Sequence, residues 1–171
     1  MRTLPDVKLR SCRYTAAFVD SRRAKMIDIT TGEMNLNGVV IRPDMGIGDF
    51  KRYPANQVTV RDRGNGRGII RLTQLVVSNG ISARVKIWIN GLTGSFRVTV
   101  LPDLTGQNGM DLLGASKAWI FGMIPESYFE KSTDSCLSAA FSWGSIVAQY
   151  LPDRDYGVTG GDLQIEYRKI G

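Results

Sequence analysis

The chemistry open to this 171-residue chain is limited first by what it lacks, since it contains no histidine. A Ser-His-Asp or Cys-His nucleophile is therefore ruled out, and with it the commonest general base near neutral pH. Paired carboxylates are the remaining route to acid–base work. Asp49, Asp103, Asp134, Asp153, Asp155 and Glu166 are available, yet no spacing sets two of them side by side, and Asp is a residue that turns enrich. No calcium-loop pattern is present, and Cys12 and Cys136 match neither a metal-ligand nor a redox spacing. Both thiols are expected to be buried cysteines rather than a disulfide, and no cofactor is expected. Gly64-Asn65-Gly66-Arg67-Gly68 has the glycines of a phosphate cradle, but it lacks the Lys-Ser/Thr ending and leads into a strand, so its Asn-Gly pair reads as a hairpin turn. The expectation is a binding protein and not an enzyme.

What the chain does carry is positive charge. A net charge of +6 and a pI near 9.5 favour an anionic partner: nucleic acid, an acidic protein surface or anionic lipid. A solvated basic surface that merely aids solubility would have the same composition. The candidate partner-binding residues are Arg71, Arg84, Lys86, Trp88 and Arg97, with Tyr156 as a further aromatic anchor. Arg61, Arg63 and Arg67 could grip phosphates from a loop tip.

Those side chains need a sheet to hold them. Ile81, Ala83, Val85, Ile87 and Ile89 alternate with Ser82, Arg84, Lys86, Trp88 and Asn90, the period of two of a half-buried antiparallel strand. With Gly68 to Val77 before it and Ser95 to Leu101 after it, this strand centres a three-stranded meander, with Arg71 and Arg97 joining Arg84, Lys86 and Trp88 on the wet face. That face is either open or covered by the segment from Ala115 to Lys131.

The rest of the chain reads as a frame for the meander. Residues 1–11 form a loose lead-in, and Cys12 to Val19 with Ala24 to Thr30 suggest a first hairpin. Gly38 to Ile41 is a short strand, and a short helix capped by Asp44 and ending at Pro54 turns Met45, Phe50 and Tyr53 towards the sheet. Val58 and Val60 start another strand. Asp103 to Gly114 is expected as a surface loop, Ala115 to Lys131 as two short helical pieces divided at Gly122 and Pro125, Ala139 to Tyr150 as one strand, and Asp162 to Lys169 as the last strand, with Leu163, Ile165 and Tyr167 facing in. The expected fold is a single α+β domain over 1–171: a predominantly antiparallel sheet of about seven or eight strands plus one or two short helices. No apolar run approaches the roughly 18 residues of a membrane span, and the first residues hold no hydrophobic signal core. As written the chain reads as cytoplasmic, although a mature periplasmic form would look the same.

Two segments carry a resemblance. Asn37-Gly38-Val39-Val40-Ile41-Arg42-Pro43-Asp44-Met45 leading to Asp49-Phe50, and Phe141 to Tyr150 followed by Leu163-Gln164-Ile165-Glu166-Tyr167, resemble the opening and closing elements of small bacterial immunity-type proteins, which neutralise toxins delivered between competing cells. The resemblance covers about a quarter of the chain and implies a protein partner, a cognate toxin or effector, occluded by direct contact. Such inhibitors are frequently acidic when the toxin is a nuclease; a basic chain suits an acidic partner instead. Three readings follow: an immunity-type inhibitor anchored by Trp88, Arg84 and Tyr156; a nucleic-acid-binding domain using the basic sheet face; and a structural subunit of a phage particle or surface assembly.

Overall fold

The computed structural model describes residues 26–78, 80–103, 111–132, 136–152 and 159–168. A two-stranded sheet comes first, β1 (Met34–Leu36) with β2 (Val39–Ile41), followed by a single helical turn, α1 (Ile47–Phe50). The main sheet begins with β3 (Val58–Asp62), β4 (Arg67–Leu72), β5 (Val76–Ser78), β6 (Ile81–Asn90) and β7 (Ser95–Pro102). Helix α2 (Asp111–Met123) and a 3-10 turn (Glu126–Tyr128) intervene before β8 (Lys131–Ser132), β9 (Cys136–Phe141), β10 (Gly144–Pro152) and β11 (Thr159–Tyr167). The strand order is β3-β4-β6-β7-β11-β10-β9-β8, every pairing is antiparallel, and β5 pairs with β6 beside β4. The fold is thus α+β with the sheet dominant, as the alternation predicts.

Register carries one face across the sheet. Ile70, Ile87, Val98, Ile165 and Ile146 are successive cross-strand partners, and all five are fully buried. Burying such a row is the main favourable term in folding, at about 1.5–3 kcal/mol for each fully buried aliphatic side chain. The other elements complete the same core: Met34, Leu36, Val39 and Ile41 from the small sheet, Phe50 from α1, and Trp119, Ile120 and Met123 from α2. Phe50 meets Phe96 of β7 edge to face, and Ile47 lies so close over Gly68 that a Cβ there would sit 2.0 Å from its Cδ1.

Several local expectations change. Ala24 to Thr30 is not a strand over its described part: only Ile27 bridges, to Met34, because the Asp28 carboxylate accepts the Thr30 and Thr31 N–H groups and turns the chain. The first strand of the meander is interrupted after Leu72, where the Thr73 N–H bonds the Gln57 carbonyl and its hydroxyl bonds that of Ala55. Pairing resumes two residues out of step, with Arg71 opposite Lys86 but Val76 opposite Ala83; an even slip preserves which face each side chain takes. Asp44 does not cap α1. It pairs with Arg42, while Asp49 reaches back to the Gly46 N–H at 2.9 Å. Helix α2 begins inside the expected loop and runs through Gly122, stopping before Pro125, since a glycine costs only about 1 kcal/mol in a helix and a proline about three times that. Ala139 to Tyr150 is a hairpin rather than one strand, with Ser142-Trp143 as its turn; the Trp143 ring stacks on Phe141 and its Nε1 donates to the Ile29 carbonyl at 2.7 Å. The lead-in and Cys12 to Val19 lie outside the described residues.

Candidate binding face

Because every described helix and the β1–β2 sheet pack on the apolar side, the opposite side of the main sheet is left uncovered by them. Helix α2 meets β11, β10 and β5 through buried Trp119, Ile120 and Met123, so the Ala115 to Lys131 segment does not roof the basic face.

Ladder parity assembles that face from the sequence candidates. Arg71 (β4), Lys86 (β6), Thr99 (β7) and Gln164 (β11) form one cross-strand row. Ile69, Trp88, Arg97 and Glu166 form the next, and Arg84 stands opposite Leu101. Arg71, Arg84, Lys86, Trp88 and Arg97 are therefore neighbours on one surface, with strands about 4.8 Å apart. Arg61 extends it on β3, opposite Ile69. Tyr156, the sixth candidate, lies outside the described residues.

Neighbouring charges decide what each cation can do. The Arg97 Nε donates to Glu166 Oε1 at 2.7 Å and a terminal nitrogen reaches the same oxygen, so Arg97 is already paired. Lys86 Nζ sits 4.1 Å from the centre of the Trp88 ring and occupies one face of the indole. Arg71 and Arg84 are exposed and make no ion pair with another described residue. Arg71 stands directly across from Lys86, a like-charge juxtaposition that disfavours the fold.

Apolar side chains missed in the sequence complete the surface. Val77 and Leu101 are 63% and 41% exposed, and Trp88 is 40% exposed. Parity could have found two of them: Val76 faces in, so Val77 faces out, and Leu101 shares the phase of Arg97 and Thr99. Leu75 precedes β5 outside any strand, and its carbonyl accepts from the Asn37 amide. The Glu166 partner of Arg97 was also not legible, because it comes from a strand 69 residues away.

At the rim, the β3–β4 turn is held rigidly. Gly64, Asn65 and Gly66, which lie between the paired Arg63 and Arg67, have φ of 77°, 53° and 68°, left-handed values that favour glycine and asparagine. The Gly91 N–H bonds the Gly66 carbonyl at 3.0 Å, and a Cβ on Gly91 would fall 3.3 Å from Gly66 Cα, so the β3–β4 and β6–β7 turns are locked backbone to backbone. Asp62, at the base of the turn, is held below the usual carboxylate range by hydrogen bonds from Lys51 and from the Gly64 N–H. Beneath the turn lies an open cleft of about 450 Å³ lined by Arg63, Arg67, Ile69, Trp88 and Asn90.

Among the described residues no three Asp, Glu or Cys side chains gather as metal ligands, and no helix is long and apolar enough to cross a membrane. Comparison with protein-family models, curated proteins and solved structures returned no match.

Proposed function

We propose that this chain is a non-catalytic binding protein whose basic sheet face docks an acidic protein partner, in the manner of an immunity-type inhibitor occluding a toxin or effector. The observation that carries this reading is the composition of that face: Arg71 and Arg84, without an ion pair to another described residue, set among exposed Val77, Leu101 and Trp88. Mixed arginine and apolar anchors are the pattern of protein interfaces, in which a few such residues supply most of the affinity. The size is also suitable. Five strands from β3 to β11 at about 4.8 Å each, by about 30 Å along β6, offer roughly 700–800 Å², close to the share of one partner in a standard interface. A single-stranded nucleic acid would want open aromatic faces to stack on, and Lys86 occupies one side of the exposed tryptophan.

The test is co-expression with the product of the adjacent gene, followed by co-purification and a growth assay for neutralised toxicity. The wild-type chain is expected to form the complex, and Arg71→Glu with Arg84→Glu to weaken it about 100-fold, or 2.7 kcal/mol. A harmless neighbour with no complex would overturn the proposal. So would tight, steeply salt-dependent binding to single-stranded DNA or RNA in its place.

A further inference from the structure

The cleft at the rim of the sheet differs from the flat face beside it. Arg63 and Arg67 flank it on the rigid β3–β4 turn, the exposed Trp88 ring and Ile69 form its apolar side, and Asn90 adds an amide. Neither arginine makes an ion pair with a described residue: the nearby carboxylate, Asp62, is engaged by Lys51 and the Gly64 N–H. The turn is fixed by the Arg67 N–H to Gly64 carbonyl and Arg63 N–H to Arg67 carbonyl bonds, as well as by its lock onto Gly91. The cleft is open to solvent, and its volume of about 450 Å³ has room for a side chain where a single ion would need far less. Two guanidinium groups set against an indole suit one ligand class in particular, a carboxylate carried beside an apolar or aromatic group.

We infer that this cleft is the anchor pocket of the docking face, taking an acidic side chain of the partner between Arg63 and Arg67 while the partner's neighbouring apolar residue lies on Trp88 and Ile69. The inference rests on the protein-docking reading above and specifies where the partner's main contact falls. Preorganisation supports the assignment, because a turn already locked loses little freedom on binding.

Two measurements test it separately. In the first, side-chain NMR of the intact chain follows the arginine Nε–H and tryptophan Nε1–H signals during titration with acetyl-Phe-Asp-amide, acetyl-Phe-Asn-amide and phenyl phosphate. The aspartyl peptide is expected to shift the Arg63, Arg67 and Trp88 signals, at least tenfold more tightly than the asparaginyl one, and Arg63→Gln with Arg67→Gln is expected to abolish the shifts. No shift up to about 10 mM, equal binding of the two peptides, or phenyl phosphate binding tenfold more tightly would overturn the carboxylate assignment. In the second, the same double Gln variant is assayed for the complex with the adjacent gene's product, with circular dichroism to show that it folds. At least a tenfold loss supports the pocket. An undiminished complex that Arg71→Glu with Arg84→Glu still disrupts would sink the pocket and leave the docking face standing. If the wild type forms no complex, the docking reading fails, and with it the assignment of the pocket to a protein partner.

Discussion

Replacing Arg71 with Glu should stabilise the fold while weakening the complex. Arg71 and Lys86 are direct cross-strand partners, Arg71 is exposed and Lys86 is half-buried. Taking a separation of about 6 Å between the charged heads, of the order that directly opposed strand residues allow, and a nearly aqueous dielectric, their repulsion is about 0.7 kcal/mol before screening. Ionic screening reduces this to about 0.3 kcal/mol at 0.15 M salt and about 0.6 kcal/mol at 0.01 M. Substituting Glu exchanges that repulsion for an attraction of similar size. The net gain in unfolding free energy is then about 1 kcal/mol at 0.01 M salt, about 0.6 at 0.15 M and about 0.2 at 1 M, with Arg71→Gln giving about half of each. Urea unfolding of the three chains at the three salt concentrations, followed by circular dichroism, measures this directly. A destabilised Glu variant, or a gain that does not shrink with salt, would refute the argument that this face holds uncompensated like charge. A residue that costs the free protein stability and supports its complex is kept for binding, so the two readouts moving in opposite directions separate a docking face from a solvated surface.

Two further predictions concern the framework behind the face. Gly32 has φ of +76°, and a Cβ there would lie 2.5 Å from the Trp143 ring. Gly32→Ala should therefore cost about 2–4 kcal/mol, combining left-handed strain with loss of the Trp143 Nε1 bond to Ile29; a fall of less than about 1 kcal/mol in urea unfolding would show that the ring does not depend on that seat. Tyr167 donates to the Gly32 carbonyl at 2.7 Å, and burial, together with the nearby Glu33 charge, pushes its phenol well above the ordinary value near 10. The folded state keeps this proton at a pH where the unfolded chain releases it, so its contribution is fully present below about pH 10 and is lost as pH rises beyond that value. Unfolding midpoints compared at pH 9 and 11 should fall less in Tyr167→Phe than in wild type; equal falls would assign the alkaline sensitivity to other groups.

Much of the candidate face is legible in the sequence. The alternation of Ile81 to Asn90 fixes which side chains of β6 point together, and antiparallel pairing passes that parity to Arg71 and Arg97 without further information. The Asn65-Gly66 turn was legible for the same local reason, since both positions need positive φ. The Ser142-Trp143 turn was not, because a single Ser beside an aromatic is a weak turn signal and Trp143 is held by Phe141, Gly32 and the Ile29 carbonyl, contacts that exist only after folding. The break after β4 was hidden likewise, since its cause is hydrogen bonding to Ala55 and Gln57 on a different segment.

The sequence by itself determined the sheet-dominated class, the central strand and the five cationic and aromatic residues that share one side of it, because these follow from the two-residue period of a strand. Tertiary structure decided which of them can act. Glu166 neutralises Arg97, Lys86 covers one side of Trp88, and the locked β3–β4 turn brings Arg63 and Arg67 over the cleft. Tertiary structure also decided that none of α1, α2 and the small sheet covers the basic side, because they bury their apolar residues against the opposite, apolar face of the sheet. Periodicity is local and survives in one dimension, whereas charge pairing and coverage depend on which distant segments arrive at the same place.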